Sequence, residues 1–509
     1  MKKTTHFIVS SLFVLFASGA AADEPEKRDF STYQPIVEPP RIERHEAPKI
    51  DGKLDEDMWK KAAVLSEFYQ VEPNIGKPQE DTVVYLAYDS RNLYIGVQAF
   101  DKNPDKILKS ILQRDGDTWR DDMIRFYIDP FATGLSGFAF DVNALGTKLD
   151  RLLQQGRAPN VAWDTIWDAK AQITDKGWTA EIAIPFRSIS FNPDGEGWNL
   201  MVTREISHKG EEVRWAAIDN GIQPWEFRRP GKLKGIKDID KGLGLDVELQ
   251  GKISASRDWE RPRDDDLSLD GSANIYYKIN PALVGLLTVN ADFSDTPLDT
   301  RQINTGRFSL FRDETRDFFL QDASIFEFAG ETFIGAPNGQ PFFSRRIGLV
   351  NGEADDLKFG AKLSGELAGF DVGLLTTHMG ETSRVDAQTL SVARISKDLF
   401  DHSRLGLIAT NGDPTGKTEN TLIGVDYLFQ DKSFFGGLFQ ADIFYQSTFT
   451  DSEDDDSFGA RIDYPNNRWN WTIAARQIGE DFRPAIGFVN RPGTRDYTGQ
   501  WRRRFRPTE

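Results

Sequence analysis

The chain has 509 residues, 39% of them hydrophobic, enough for two or three domains. Its formal net charge of −17 argues against a nucleic-acid partner, since a phosphate backbone calls for a basic surface. With no cysteine, it uses neither disulfides nor thiolate metal ligands.

Lys2 and Lys3 precede an apolar run from Phe7 to Phe16 and the small residues Ala20-Ala21-Ala22. That is the pattern of an export signal over residues 1–22, cleaved before Asp23. The run is too short to span a bilayer. No later segment has the length of a transmembrane helix, so any span must be built of strands. Residues 23–48, with Pro25, Pro35, Pro39, Pro40 and Pro48, read as an extended linker. From Lys49 onward short strand-like segments follow: Thr82–Tyr88, Asn92–Phe100, Met123–Ile128, Gly137–Asn143, Trp167–Ile173, Gly177–Ile184, Trp198–Arg204 and Glu212–Ala217. Turn signals such as Asp89-Ser90-Arg91-Asn92 and Asp175-Lys176-Gly177 separate them, which predicts an all-β sandwich over residues 49–236.

No catalytic constellation stands out in this half. The histidines are scattered, there is no Gly-x-Ser-x-Gly and no P-loop. The pair Asp121/Asp122 does not by itself mark a glycosidase, whose two acids must flank a bond. Of the tryptophans, Trp59, Trp178 and Trp198 sit in apolar or strand contexts and are read as core. Trp119 and Trp225 lie in charged or turn-rich loops, where an aromatic ring leans toward a binding role. Around Trp119, Asp115, Asp117, Asp121, Asp122 and Asp129 form an acidic cluster. Such an oxygen-rich group suits Ca²⁺, with Asp115, Asp117 and Asp121 as ligands. The spacing matches no EF-hand loop, and a solvated acidic loop is the alternative.

The stretch Ile50-Asp51-Gly52-Lys53-Leu54-Asp55-Glu56-Asp57-Met58-Trp59 resembles the opening signature of family 9 carbohydrate-binding modules. Leu86-Ala87-Tyr88-Asp89, Asn92-Leu93-Tyr94-Ile95, Trp119, Asp122, Ile128-Asp129, Gly177-Trp178 and Ile184-Pro185 follow in that family's order. The resemblance implies a β-sandwich that binds a sugar between two tryptophan rings, at the positions of Trp119 and Trp225. It places Asp122 and Asn143 among the polar groups of that site. Two positions depart from the pattern: Arg125 stands where the sugar-binding members carry a carboxylate, and Asp141 where they carry an arginine. The swap preserves an ion pair and changes the hydrogen-bond partners offered to a ligand.

From Leu243 the alternation runs longer. Leu269, Gly271, Ala273, Ile275, Tyr277 and Ile279 alternate with Ser268, Asp270, Ser272, Asn274, Tyr276 and Lys278. Trp469, Trp471, Ile473 and Ala475 alternate with Asn470, Thr472, Ala474 and Arg476. A soluble sheet would show the same alternation. The connections decide. Short ones (Asn280-Pro281-Ala282, Ala368-Gly369, Gln430-Asp431-Lys432, Pro465-Asn466-Asn467) alternate with longer polar ones (Ser256–Leu267, Asn411–Asn420, Gly479–Asp496). This is the habit of outer-membrane barrels, with apolar residues toward lipid and a polar lumen. About twelve strand candidates over residues 243–509 follow. The sandwich precedes the first strand, and long outer loops after odd strands put it in the periplasm.

One segment, 294–354, interrupts the pattern. It mixes Phe308, Phe311, Phe318, Phe319, Phe326, Phe328, Phe342 and Phe343 with Arg307, Arg312, Arg316, Arg345 and Arg346, at no regular period. Its aromatics suit burial, which predicts a plug inside the barrel. Asn290-Ala291-Asp292-Phe293-Ser294, Arg316-Asp317-Phe318-Phe319-Leu320, Phe342-Phe343-Ser344-Arg345-Arg346-Ile347-Gly348 and Gly487-Phe488-Val489 resemble an uncharacterised family of bacterial outer-membrane proteins. Those proteins join a family 9 carbohydrate-binding-like domain to a C-terminal barrel that runs on well beyond the last motif. The chain here ends at Glu509, so it is either truncated or closes with twelve strands. The functional expectation is a glycan- or oligosaccharide-binding protein of the outer membrane, in contact with its lipid and serving binding or uptake. The alternatives are a glycoside hydrolase acting on O-glycosyl bonds in carbohydrate catabolism and a non-sugar structural or envelope-assembly protein.

Overall fold

A computed structural model describes residues 30–509 except 31, 135, 155–157, 193–194, 220, 240–243, 258–264, 292–307, 309–310, 329–336, 351–352, 355–356, 382–384, 401–402, 432–433, 435–436, 467 and 506–509. The export signal, Arg307 and part of the inserted segment lie outside the described residues.

The N-terminal half is a sandwich of two sheets. The first has eight strands, in the order Ile36–Val37, Gly231–Leu233, Trp198–Ile206, Met123–Asp129, Ser136–Asn143 and Lys148–Gln154. Glu211–Arg214 and Tyr69–Glu72 extend it beyond the far end of Trp198–Ile206. The second has five strands, Ala63–Leu65, Thr82–Tyr88, Asn92–Phe100, Gly177–Pro185 and Asp168–Thr174. Side chains alternate across a strand. In Met123–Asp129, Ile124, Phe126 and Ile128 join Val84, Leu86, Ile95, Val97 and Ile182 in the core between the sheets. Met123, Arg125 and Tyr127 therefore turn to the opposite face. Trp59, Trp178 and Trp198 are buried.

Two features depart from the sequence reading. Ile36–Val37 pairs in parallel with Gly231–Leu233, and Arg41 bridges Tyr88, so part of the expected linker is built into the sandwich. The strand Lys148–Gln154 has no apolar alternation because both its faces are covered, burying Asp150 and Arg151 with its leucines.

The C-terminal half is one sheet of twelve strands, from Leu245–Arg257 to Thr494–Arg503, each antiparallel to the next in sequence. Its short turns share one rim. One of them, Ala368-Gly369, is a two-residue turn with φ of +53° and +76°. Positive φ at both positions fits a turn whose twist matches that of its flanking strands. The sandwich sits against this rim: Phe191 N–H donates to the Pro281 carbonyl at 3.2 Å, Asn192 Nδ2 to Glu366 Oε2 at 2.7 Å, and Arg229 Nη2 to Asn466 Oδ1 at 3.2 Å. The outward face carries Leu374, Leu407, Ile423, Ile443 and Ile473, all exposed. The inward face buries Arg394, Thr410, Asp426, Gln446, Thr448 and Arg476. The outer face is apolar, and the inner face mixes these polar groups with buried apolar ones such as Leu375, Ile408 and Leu422.

The Phe-rich segment lies against that inner face. Phe318, Phe319, Phe326 and Phe328 share one cluster with Leu286, Leu375, Val392, Ile408, Leu422 and Phe444, drawn from strands all around the sheet. Three strand glycines receive its rings: a Cβ would lie 2.9 Å from the Phe318 ring at Gly360, 2.9 Å from Phe326 at Gly373 and 3.0 Å from Phe328 at Gly424. Polar wall groups hold its backbone, with Gln446 Nε2 donating to the Gly339 carbonyl at 2.6 Å and Arg476 Nη1 to that of Asn338 at 2.8 Å. At the other end Leu320 enters the sandwich core, and Asn160 Nδ2 donates to the Glu314 carbonyl at 3.0 Å. The segment thus runs through the interior and touches the sandwich. Among the described residues the first and last strands of the sheet are not hydrogen-bonded to each other, so closure by twelve strands is not seen.

Candidate functional site

The face of the eight-stranded sheet turned away from the core carries charged and polar side chains beside a small apolar cluster that includes Met201, Ala139 and Phe227. Cross-strand register sets Arg214, Thr203, Arg125 and Asp141 side by side on four neighbouring strands. A parallel row holds Met201, Tyr127, Ala139 and Arg151. The Asp141 carboxylate lies 3.4 Å from Arg125 Nε and makes a close ion pair with Arg151. Arg125 also faces Glu205 Oε2 at 3.8 Å. Burial, then the neighbouring Glu212, pushes the Glu205 carboxyl up to about 7.

Two loops close over this floor. Trp119 sits on the one-turn helix Thr118–Arg120, with Asp117 accepting from its backbone N–H. The Arg125 guanidinium lies 4.1 Å and that of Arg151 5.3 Å from the centre of the Trp119 ring, a cation–π arrangement. Trp225 sits on the turn Pro224–Glu226, which Gln223 and Glu226 cap reciprocally. Its loop is anchored by Arg214, whose Nη1 donates to the carbonyls of Ala217, Asp219 and Ile222. The two indoles meet edge to face, centroids 6.4 Å apart and planes at 87°. Trp119 stays 46% exposed. Beneath it Arg125 Nη2, Arg151 Nε and Nη1, Asp141 Oδ1, Tyr127 Oη and Thr203 Oγ1 are buried without a hydrogen-bond partner. Buried polar atoms are nearly always paired, so such a concentration calls for a ligand or water.

The structure brings together Trp119, Trp225, Arg125 and Asp141, but with the indoles in mutual contact rather than parallel and apart. It does not bring Asp122 or Asn143 to them. Asp122 Oδ2 accepts from Leu108 N–H at 2.8 Å, and its other oxygen faces His208. The Asn143 side chain is consumed by a turn: Nδ2 donates to the Ile111 carbonyl and Asp121, and Oδ1 accepts from Leu145 and Thr147. The Ca²⁺ set also fails to assemble. Asp121 is spent on the N–H groups of Ser110 and Ile111, on the Ser110 hydroxyl and on Asn143. Asp115 pairs with Arg114 at 3.3 Å, and Asp117 caps the Trp119 turn. Each carboxylate serves its own stretch of loop. The sequence reading missed Arg151, Tyr127 and Glu205. For Tyr127 and Glu205 the signal is positional: they occupy alternate positions of MIRFYID and WNLMVTREI, on the face opposite the core residues, whereas KLDRLLQ, which holds Arg151, carries no such alternation.

Residues 50–220 match the family model described as carbohydrate family 9 binding domain-like. No curated protein matches the chain. Among solved structures, a family 9 carbohydrate-binding module from Caldicellulosiruptor kristjanssonii in complex with cellotriose is 18% identical. The alignment covers 40% of this chain and 95% of that one, with a TM-score of 0.29. The same organism's family 9 module in complex with glucose is 19% identical over 40% of this chain and all of that one, with a TM-score of 0.28. OprB of Pseudomonas putida is 9% identical over 81% of this chain and 85% of its own, with a TM-score of 0.22.

Proposed function

We propose that the chain is a carbohydrate-binding protein of the outer membrane, its sandwich taking a glycan at Trp119 and its second sheet forming a plugged barrel wall in lipid. The observation that carries the binding reading is the exposed Trp119 ring above a floor of unpartnered donors and acceptors. A pyranose offers an apolar C–H face, which an indole accepts by stacking, and a rim of hydroxyls, which Arg125, Arg151, Asp141 and Tyr127 pair. Because the two indoles touch, entry requires the Thr118–Arg120 turn to move. The match of residues 50–220 to the family 9 model supports the same ligand class. The membrane reading rests on the exposed apolar residues around the sheet and its polar interior. Short turns are the periplasmic ones in such barrels, and the contact of the sandwich with that rim supports a periplasmic sandwich. Leu320 and Asn160 join the sandwich to the plug, a route from glycan binding to uptake.

Calorimetric titration of the full chain in detergent with cellotriose, followed by a broader glycan panel, tests this. Trp119→Ala and Trp225→Ala should each weaken binding at least tenfold, since each loses stacking area. Absence of binding to any glycan would sink the reading.

Glu205 gives the hydrolase reading one specific support. It is a carboxyl held near neutrality, on the polar face and directly across from Glu212. Turnover of labelled polysaccharide, abolished by Glu205→Gln, would favour it.

A further inference from the structure

A second polar cluster lies away from the tryptophans, where three loops meet. Asp101 follows the strand Asn92–Phe100, Asp122 precedes Met123–Asp129, and His208 sits in the turn Ser207–Lys209. One ligand atom from each lies within 4.8 Å of the others. Both carboxylates are fully buried, and the His208 side chain is 9% exposed. Asp101 Oδ2, Asp122 Oδ1 and both ring nitrogens of His208 have no hydrogen-bond partner.

We propose that Asp101, Asp122 and His208 bind a divalent transition-metal ion of the Zn²⁺ type. The separations fit. His208 Nε2 is 3.5 Å from Asp101 Oδ2, and Nδ1 is 3.7 Å from Asp122 Oδ1. Both exceed the roughly 2.7–3.2 Å of an N–H···O bond. One imidazole gives an ion only one of these nitrogens, so only one of the two separations can be an edge between ligands of that ion, which holds N and O donors at about 2.0–2.2 Å; with one ligand atom taken from each residue, the three lie within 4.8 Å of one another. The outer oxygens are already oriented, as ligands of a built site are: Asp101 Oδ1 accepts from Asn103 N–H at 2.7 Å, and Asp122 Oδ2 from Leu108 N–H.

The charge balance agrees. Asp101, Asp122, Glu80 and Glu211 surround the buried Arg204, and Lys209 pairs with Glu80, so the acids outnumber the buried bases. One imidazole with two carboxylates suits a borderline ion in a small coordination shell, whereas Ca²⁺ takes six to eight oxygens. The ion would tie the Leu108–Asp122 loop, which carries Trp119, to the other two loops.

The test uses the full chain stripped with a chelator and titrated with ZnCl₂ alone. One Zn²⁺ per chain is expected, with affinity at least 100-fold weaker in His208→Ala and in Asp122→Asn. Co²⁺ should give a visible absorption band that His208→Ala abolishes. Asp101→Asn, close in shape, guards against misfolding and should weaken Zn²⁺ by a similar factor. No stoichiometric Zn²⁺ in the wild type, unchanged affinity in the variants, or preference for Ca²⁺ over Zn²⁺ would each overturn the proposal. The readout is ion binding, so it stands apart from the glycan reading.

Discussion

The two halves of the chain use the same strand alternation and spend it in opposite directions. In the sandwich, Ile124, Phe126 and Ile128 point into the core, and the polar positions Arg125 and Asp141 turn away from it. In the twelve-stranded sheet, Ile423, Ile443 and Ile473 point out, while Arg394, Asp426 and Arg476 point in. A period of two says that a strand has two unlike faces; it does not say which one meets solvent. The surroundings decide that. In the sandwich the second sheet covers the apolar face. In the twelve-stranded sheet the inserted segment covers the inner face, its rings on the apolar residues and its carbonyls on Gln446 and Arg476, and leaves the outer apolar face exposed.

The largest expected effect breaks the inner face of the second sheet. Arg394 Nη2 donates to Asp426 Oδ2 at 2.9 Å, and both side chains are buried. Arg394→Ala leaves a buried carboxylate alone and should cost about 3–5 kcal/mol, whereas replacing both by apolar residues of similar volume should cost far less. Urea titration in vesicles, read by the gel shift of the folded barrel, measures both. Equal losses in the single and double variants would mean that the pair is not the reason the inner face is polar.

A smaller effect sharpens the comparison on the outer face. Ile443→Arg should destabilise the chain by about 2–4 kcal/mol in a bilayer if the position lies near the midplane. In a soluble protein an exposed isoleucine would tolerate the change within about 0.5 kcal/mol. The same assay, run in vesicles, separates the two. A loss below that value would remove lipid from around this face.

How much of this was legible follows from what each signal depends on. Strand positions are local: Thr82–Tyr88 and Asn92–Phe100 have the bounds read from alternation and turn residues. The alternation of short and long connections located the rim that carries the sandwich. The plug was legible because eight phenylalanines without a period have nowhere to go but inside. Its seats were not legible, since Gly360, Gly373 and Gly424 receive the rings only once distant strands are aligned. The site divides the same way. Trp119 and Trp225 were marked by their loops, whereas Arg151 was hidden in a strand whose two covered faces erase the alternation. Asp122 and Asn143 lie apart from the tryptophans because side-chain direction at a strand end depends on hydrogen bonds to Leu108, Ile111 and Asp121, which sequence order does not reveal.

The smallest effect returns to the sandwich's polar face. Glu205 has its carboxyl raised to about 7 from an ordinary 4.5, through burial first and Glu212 second. Below about pH 4.5 the group is protonated in folded and unfolded chains alike, and it contributes no pH dependence. As pH rises from there toward 7, the unfolded chain loses this proton while the folded one keeps it, so stability falls; above 7 it levels off. The Glu205 side chain is 26% exposed, so the fall is about 1–2 kcal/mol, less than the full shift implies. Other buried carboxyls titrate too, which makes the difference between wild type and Glu205→Gln the useful quantity. Unfolding followed by tryptophan fluorescence at pH 5 and pH 8 should show a smaller pH-dependent loss in Glu205→Gln. An identical loss in both would mean that Glu205 is solvated, and would remove the support it lends to acid chemistry beside Trp119.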